Sequence, residues 1–74
     1  MKAKWTDNIV STPDVIRGKP RINGTRIPVS LILGYFAAGS SAEEILDEFP
    51  DLNRDHIAAC FDYARELAEF EVAA

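Results

Sequence analysis

The placement of proline and glycine constrains this chain more than any other feature. Pro13, Pro20 and Pro28, interleaved with Gly18, Asn23 and Gly24, crowd the N-terminal third. Proline lacks a backbone donor and clashes with the preceding helical turn, so no long helix fits there. From Ser30 onward only Pro50 interrupts, and apolar residues recur at helical spacing. The sequence therefore predicts a mainly α domain in two parts. Residues 1–29 form an extended arm with a β-hairpin, and residues 30–74 form a three-helix core.

Within the arm, Ile22-Asn23-Gly24-Thr25 carries the strongest local signal. Asn-Gly between short extended runs favours a two-residue hairpin loop, because both central residues need positive φ. That register sets Ile22 opposite Thr25 and Arg21 opposite Arg26. Pro20 and Pro28 limit the ladder to a few residues. Gly18, Asn23 and Gly24 are assigned to turn geometry.

Three helices are expected after the arm. Ser30 is the expected N-cap of a largely apolar first helix, SLILGYFAAG, with Gly39 at its C-terminal end. Ser41 and Glu44 have the spacing of a capping box for a short second helix that Pro50 stops. Asn53 is positioned to cap a third, in which Ile57, Phe61 and Ala64 repeat at helical spacing. The PDLN connection between the second and third has helix-turn-helix length, and Leu52 is placed to pack beneath it. The expected architecture is a trihelical, homeodomain-like helix-turn-helix core behind the arm.

With 74 residues, the chain lies near the size where apolar burial only just offsets chain entropy, so self-association as a homodimer is expected. Trp5 and the pair Ile9-Val10 have little local core to enter. They are expected either to cover the helices or to exchange between subunits. The single cysteine, Cys60, cannot form an intramolecular disulfide. MKAKWTDNIV does not read as a signal peptide, and no apolar run approaches the ~20 residues of a membrane span. The expectation is a cytoplasmic protein that does not enter membranes.

Charge is unevenly distributed. Residues 1–29 hold six of the eight basic side chains against two acids, a net +4, whereas residues 30–74 carry −8, within a total of −4. Such asymmetry fits two faces with different partners, or two copies joined basic end to acidic end.

Few residues are arranged for chemistry. GKPRINGT brackets a lysine between glycines, but Lys19 follows the first glycine and Thr25 leads into an extended run, so it is not a phosphate-binding P-loop. His56 and Cys60 share a helix face, yet two candidates do not make a zinc site, and the plainer reading is a surface histidine and a small core residue. The acids Glu43, Glu44, Asp47 and Glu48 read as a solvated helix face. No metal, cofactor or enzymatic activity is expected.

The basic residues of the arm, Arg17, Lys19, Arg21 and Arg26, are the candidates for binding phosphate or an acidic partner. Solvated edge protection and pairing with acidic helices of a sister subunit are the plainer alternatives. On the third helix, Arg54 and Arg65 are the candidate helix-turn-helix surface. Their acidic neighbours make that helix a poor reader of DNA, because duplex affinity rests on neutralising phosphates.

Two blocks, GKPRINGTRIPVSLIL at 18–33 and AAGSSAEEILDEFPDL at 37–52, carry a family resemblance. From about Ile9 to Ala64 the chain resembles the family catalogued as domain of unknown function 433. Gly18, Lys19, Gly24, Thr25, Arg26, Ile27 and Pro28 match its signature, while many members have a second basic residue where this chain has Asn23. The resemblance implies a small bacterial or archaeal protein with a homeodomain-like core, regarded as antitoxin-like (VapB-type) and often encoded beside a PIN-type nuclease.

The leading expectation is thus an antitoxin of a type II toxin-antitoxin pair, acting as a homodimer that neutralises a PIN-like nuclease and contacts its operator DNA. Lys19, Arg21 and Arg26 would pair with the nuclease's metal-binding carboxylates. The segment ARELAEFEVAA, with Leu67 and Phe70, is a second docking element. A stand-alone DNA-binding regulator and a structural dimerisation module are the competing classes.

Overall fold

In the computed structural model, residues 5–11 and 18–73 are described, with side chains as far as Glu69. The elements are α1 (Trp5–Asn8), β1 (Ile9–Val10), β2 (Arg21–Ile22), α2 (Val29–Ala37), α3 (Ala42–Glu48) and α4 (Arg54–Ala73). The chain is mainly helical, with one small antiparallel sheet, and α2, α3 and α4 each touch the other two.

The arm turns as a hairpin around Asn23-Gly24, but with a four-residue loop in place of the expected two-residue one. The strand paired with β2 is β1, with Ile9 opposite Ile22 and Val10 opposite Arg21. On its other side Arg21 bridges Pro28, so β2 lies between β1 and the chain entering α2. Ile22 N donates to Ile27 O at 3.0 Å, and residues 23–26 make the loop. Arg21 and Arg26 are therefore not directly opposed.

The sheet belongs to the same core as the helices. Ile9 and Ile22 are buried together with Val29, Ile32, Ile45, Leu52, Ile57, Ala59 and Cys60. Each two-residue strand buries one side chain, and the buried positions Val29 and Ile32 in α2 and Ile57 and Cys60 in α4 lie three residues apart, which turns one apolar face of each helix inward. The arm and the helices thus share one core. Trp5 covers α4: its ring meets Tyr63 edge-on at 5.0 Å, and its backbone N–H donates to Asp62 Oδ2 at 3.4 Å.

Helix ends follow local chemistry. The expected Ser30 cap gives way to Pro28, and the helix begins at Val29. The reason is tertiary: Val29 N donates to Pro20 O at 3.0 Å, so the carbonyl just before β2 satisfies the first orphan donor of the helix. At the other end Gly39, with φ +100°, closes α2 through Gly39 N to Phe36 O and Ser40 N to Tyr35 O, a Schellman arrangement. Ser41 and Glu44 form the expected capping box of α3.

Asn53 caps α4 by accepting from His56 N at 3.0 Å, and Asn53 N donates back to His56 Nδ1 at 3.1 Å. Here a histidine takes the place that glutamate fills in the α3 box. Leu52 is buried in the turn between α3 and α4, as its position in PDLN suggested.

Candidate functional site

The basic loop is built on Ile22, whose side chain is completely buried and anchors its start. Thr25 N donates to Ile22 O at 3.0 Å, closing a β-turn through Asn23 and Gly24. Gly24 has φ +82°, the left-handed value that the third residue of a type II turn requires. The Thr25 hydroxyl donates to Ile22 O at 2.7 Å and accepts from Ile27 N at 3.0 Å. This threonine widens the loop. Its side chain competes with the backbone ladder for local donors and acceptors, a local preference that the Asn-Gly signal does not contain.

Arg21 braces the same loop, since its Nε donates to Thr25 O at 3.0 Å. Its guanidinium is thus partly committed to the fold. Arg26 and Asn23 are exposed at the tip, and Lys19 is exposed on the approach to β2. Arg17 lies outside the described residues. Gly18 accepts a hydrogen bond from the Ser11 hydroxyl and has φ +76°.

The cations of the helical half are neutralised within the chain. Arg54 Nη2 lies 2.9 Å from Glu43 Oε2, tying the start of α4 to α3, and this guanidinium holds the Glu43 carboxyl below the usual carboxylate range. Arg65 faces three acids: Asp62 at 2.9 Å, Glu69 at 3.1 Å and Glu66 at 3.8 Å. These contacts, the Asp62 hydrogen bond first, raise its already high pKa. Among the described residues, neither Lys19 nor Arg26 has a carboxylate partner in the chain. The fold therefore separates two classes of cation: Arg54 and Arg65 of α4, braced by acids, and Lys19 and Arg26, presented from the arm.

His56 and Cys60 are engaged separately. His56 Nδ1 is occupied in the α4 cap, and Cys60 is buried in the core, where desolvation pushes its thiol from 9.0 up to about 11. Among the described residues no group of three or more histidine, cysteine or acidic side chains forms a metal-binding cluster.

One surface feature had no clear sequence signal. Lys19 and Pro20 from the arm, Val29 and Leu33 from α2, and Tyr63 and Leu67 from α4 line an apolar trough of about 340 Å³. Leu31, Phe61 and Leu67 are exposed, Leu67 to 50%. The trough joins residues far apart in the chain, so only the fold assembles it.

A profile for the family described as protein of unknown function (DUF433) matches residues 9–64. An uncharacterized protein, y4eO, from Sinorhizobium fredii (strain NBRC 101917 / NGR234) is 38% identical over 56 residues, 76% of this chain and 25% of that protein. The chain thus spans about a quarter of this relative. The crystal structure of a DUF433 member protein from Anabaena variabilis ATCC 29413 matches with a TM-score of 0.69 and 36% identity, covering 90% of this chain and 69% of the other.

Proposed function

The chain belongs to the DUF433 family, and on that premise we propose that it is a non-catalytic, antitoxin-like binding protein that neutralises a PIN-like nuclease by presenting Arg26 and Lys19 to clustered carboxylates. The observation that supports this reading most is the division of the cations. Arg54 and Arg65 are held by acids of the chain, whereas Arg26 stands exposed on a loop fastened by Thr25 and Arg21. A preformed loop loses little conformational entropy when it docks. A metal-dependent nuclease offers acids that would otherwise hold magnesium, and a guanidinium pairs with such carboxylates through charge-assisted hydrogen bonds. We read α2, α3 and α4 as a homeodomain-like trihelical unit that serves to carry this loop, in a cytoplasmic setting.

DNA recognition by α4 has less support. The first turn of α4 offers Arg54 bonded to Glu43, and Asp55 beside it, while Asp62, Glu66 and Glu69 follow. That surface repels phosphate. Contact with operator DNA therefore falls to the arm cations.

Activity of the nuclease encoded beside this chain, measured in magnesium with and without the purified protein, tests the reading. Inhibition that weakens in Arg26→Ala and Lys19→Ala supports it, and equal activity in both conditions overturns it. A salt titration on upstream DNA separates the regulator reading: a steep salt slope reduced by the same substitutions, without inhibition, favours that class.

A further inference from the structure

We propose that Asn23 is a site of spontaneous, irreversible modification, in which the Gly24 amide nitrogen displaces the Asn23 side-chain amide and water then leaves aspartate or isoaspartate at the tip of the basic loop. Asn23 and Gly24 are both exposed. Thr25 N bonded to Ile22 O at 3.0 Å sets the two residues at the outside of the turn, and among the described residues no hydrogen bond holds the Asn23 side chain or the Gly24 N–H. The nucleophile is therefore open to solvent base. Gly24 carries no side chain to crowd the ring that must close, and even an added Cβ there would meet nothing within 4 Å. Arg21, whose Nε donates to Thr25 O at 3.0 Å, and the exposed Arg26 bring positive charge to the loop in which the amide anion forms. Such charge stabilises an anion.

Water is the only co-reactant. The deprotonated Gly24 nitrogen attacks Asn23 Cγ, the new C–N bond closes a succinimide, and the Cγ–Nδ2 bond breaks as Nδ2 keeps the electron pair, takes a proton from solvent and departs as ammonia. Water then adds to either ring carbonyl, and the bond from that carbonyl to nitrogen breaks, leaving a carboxylate. Opening at Cγ gives aspartate; opening at the backbone carbonyl gives isoaspartate, with the main chain routed through the side chain. The other two asparagines lack this arrangement. Asn8 precedes Ile9, which is β-branched, buried and paired with Ile22. Asn53 is engaged as the α4 cap, accepting from His56 N at 3.0 Å, and is followed by Arg54. The glycine that sets the turn thus also makes its neighbour labile. This chemistry is independent of the nuclease reading, whereas its effect on binding rests on that reading: a new carboxylate in the loop of Arg26 repels the acidic site that the loop would meet.

Incubation of the full chain in mildly alkaline buffer, followed by ion exchange and peptide mapping by mass, tests the proposal. The expected product carries one more negative charge, maps to the peptide containing Asn23 as a mixture of aspartate and isoaspartate, and forms at least about tenfold faster there than at Asn8 or Asn53. Its rate should rise in proportion to hydroxide, as loss of the Gly24 amide proton requires. Asn23→Gln should suppress the acidic species, because the longer side chain closes a larger ring more slowly. It also keeps Gly24, whereas Gly24→Ala is strained at φ +82°. In the nuclease assay Asn23→Asp should inhibit less than Asn23→Gln; equal inhibition overturns the effect on binding, while the mapping alone decides the chemistry. An intact Asn23 in the folded chain under conditions that convert it in denaturing urea, or conversion no faster than at Asn8 and Asn53, overturns the proposal.

Discussion

Arg54 and Glu43 join the first turns of α4 and α3 across 2.9 Å, although each side chain is mostly exposed. The pair acts on the titration of Glu43 more than on the fold. The guanidinium lowers the carboxyl's pKa from 4.5, so its contribution to stability is complete above that value and is lost as pH falls through the lowered folded value. In Arg54→Ala, the Glu43 carboxyl resonance should titrate at higher pH than in the parent protein. Added salt should shrink the difference, since exposed pairs are screened.

Two glycines with equal room should respond to alanine with opposite sign. An added Cβ meets nothing within 4 Å at either Gly34 or Gly39. Gly34 lies inside α2, where alanine lowers the entropy of the unfolded chain, so Gly34→Ala should stabilise by ~0.5–1 kcal/mol. Gly39 has φ +100°, which alanine adopts only with strain, so Gly39→Ala should destabilise by ~1 kcal/mol. Urea midpoints at constant m-value read both effects.

Thr25 is expected to be the structural centre of the basic loop. Thr25→Val keeps the shape but removes the acceptor for Ile27 N and the donor to Ile22 O. A cost of ~1–2 kcal/mol follows, because Ile27 N is part-buried and left unsatisfied. Thr25→Ser retains the hydroxyl and should recover most of it. Under the proposed function, inhibition by Thr25→Val should fall while Arg26 itself is unchanged, which separates loop order from charge.

How legible the fold was depended on the range of the interactions. The α3 capping box, the Asn53 cap and the Gly39 terminus are encoded within a few residues, and each appears at its expected place. The hairpin register was not, because a threonine hydroxyl and the long-range pairing of Ile9 with Ile22 outweighed the Asn-Gly preference. Ser30 lost its cap to Pro20 O for the same reason. The candidate cations were visible in the sequence, but their division was not: Glu43 lies outside α4 and meets Arg54 only when α3 folds against it. The trough needed three elements in place before it existed.

Cys60 should be chemically silent in the folded protein. Only the thiolate attacks a disulfide reagent, and burial pushes this thiol from 9.0 up to about 11 while removing it from solvent. Its reaction must therefore await opening of the α4 core, and the rate should follow the population of opened molecules. With an aromatic disulfide at pH 8, the folded chain should react at least ~100-fold more slowly than the chain in denaturing urea, within the range that stabilities of small domains allow. The same shift makes a pH statement. A raised thiol pKa stabilises the fold fully below 9.0, and that contribution is lost as pH rises toward about 11. Cys60→Ser should therefore flatten the alkaline limb of the stability profile; an equally steep limb would assign it to other groups. Prompt reaction of the native thiol would show instead that the region around Ala59, Cys60 and Ile32 opens far more readily than its burial implies.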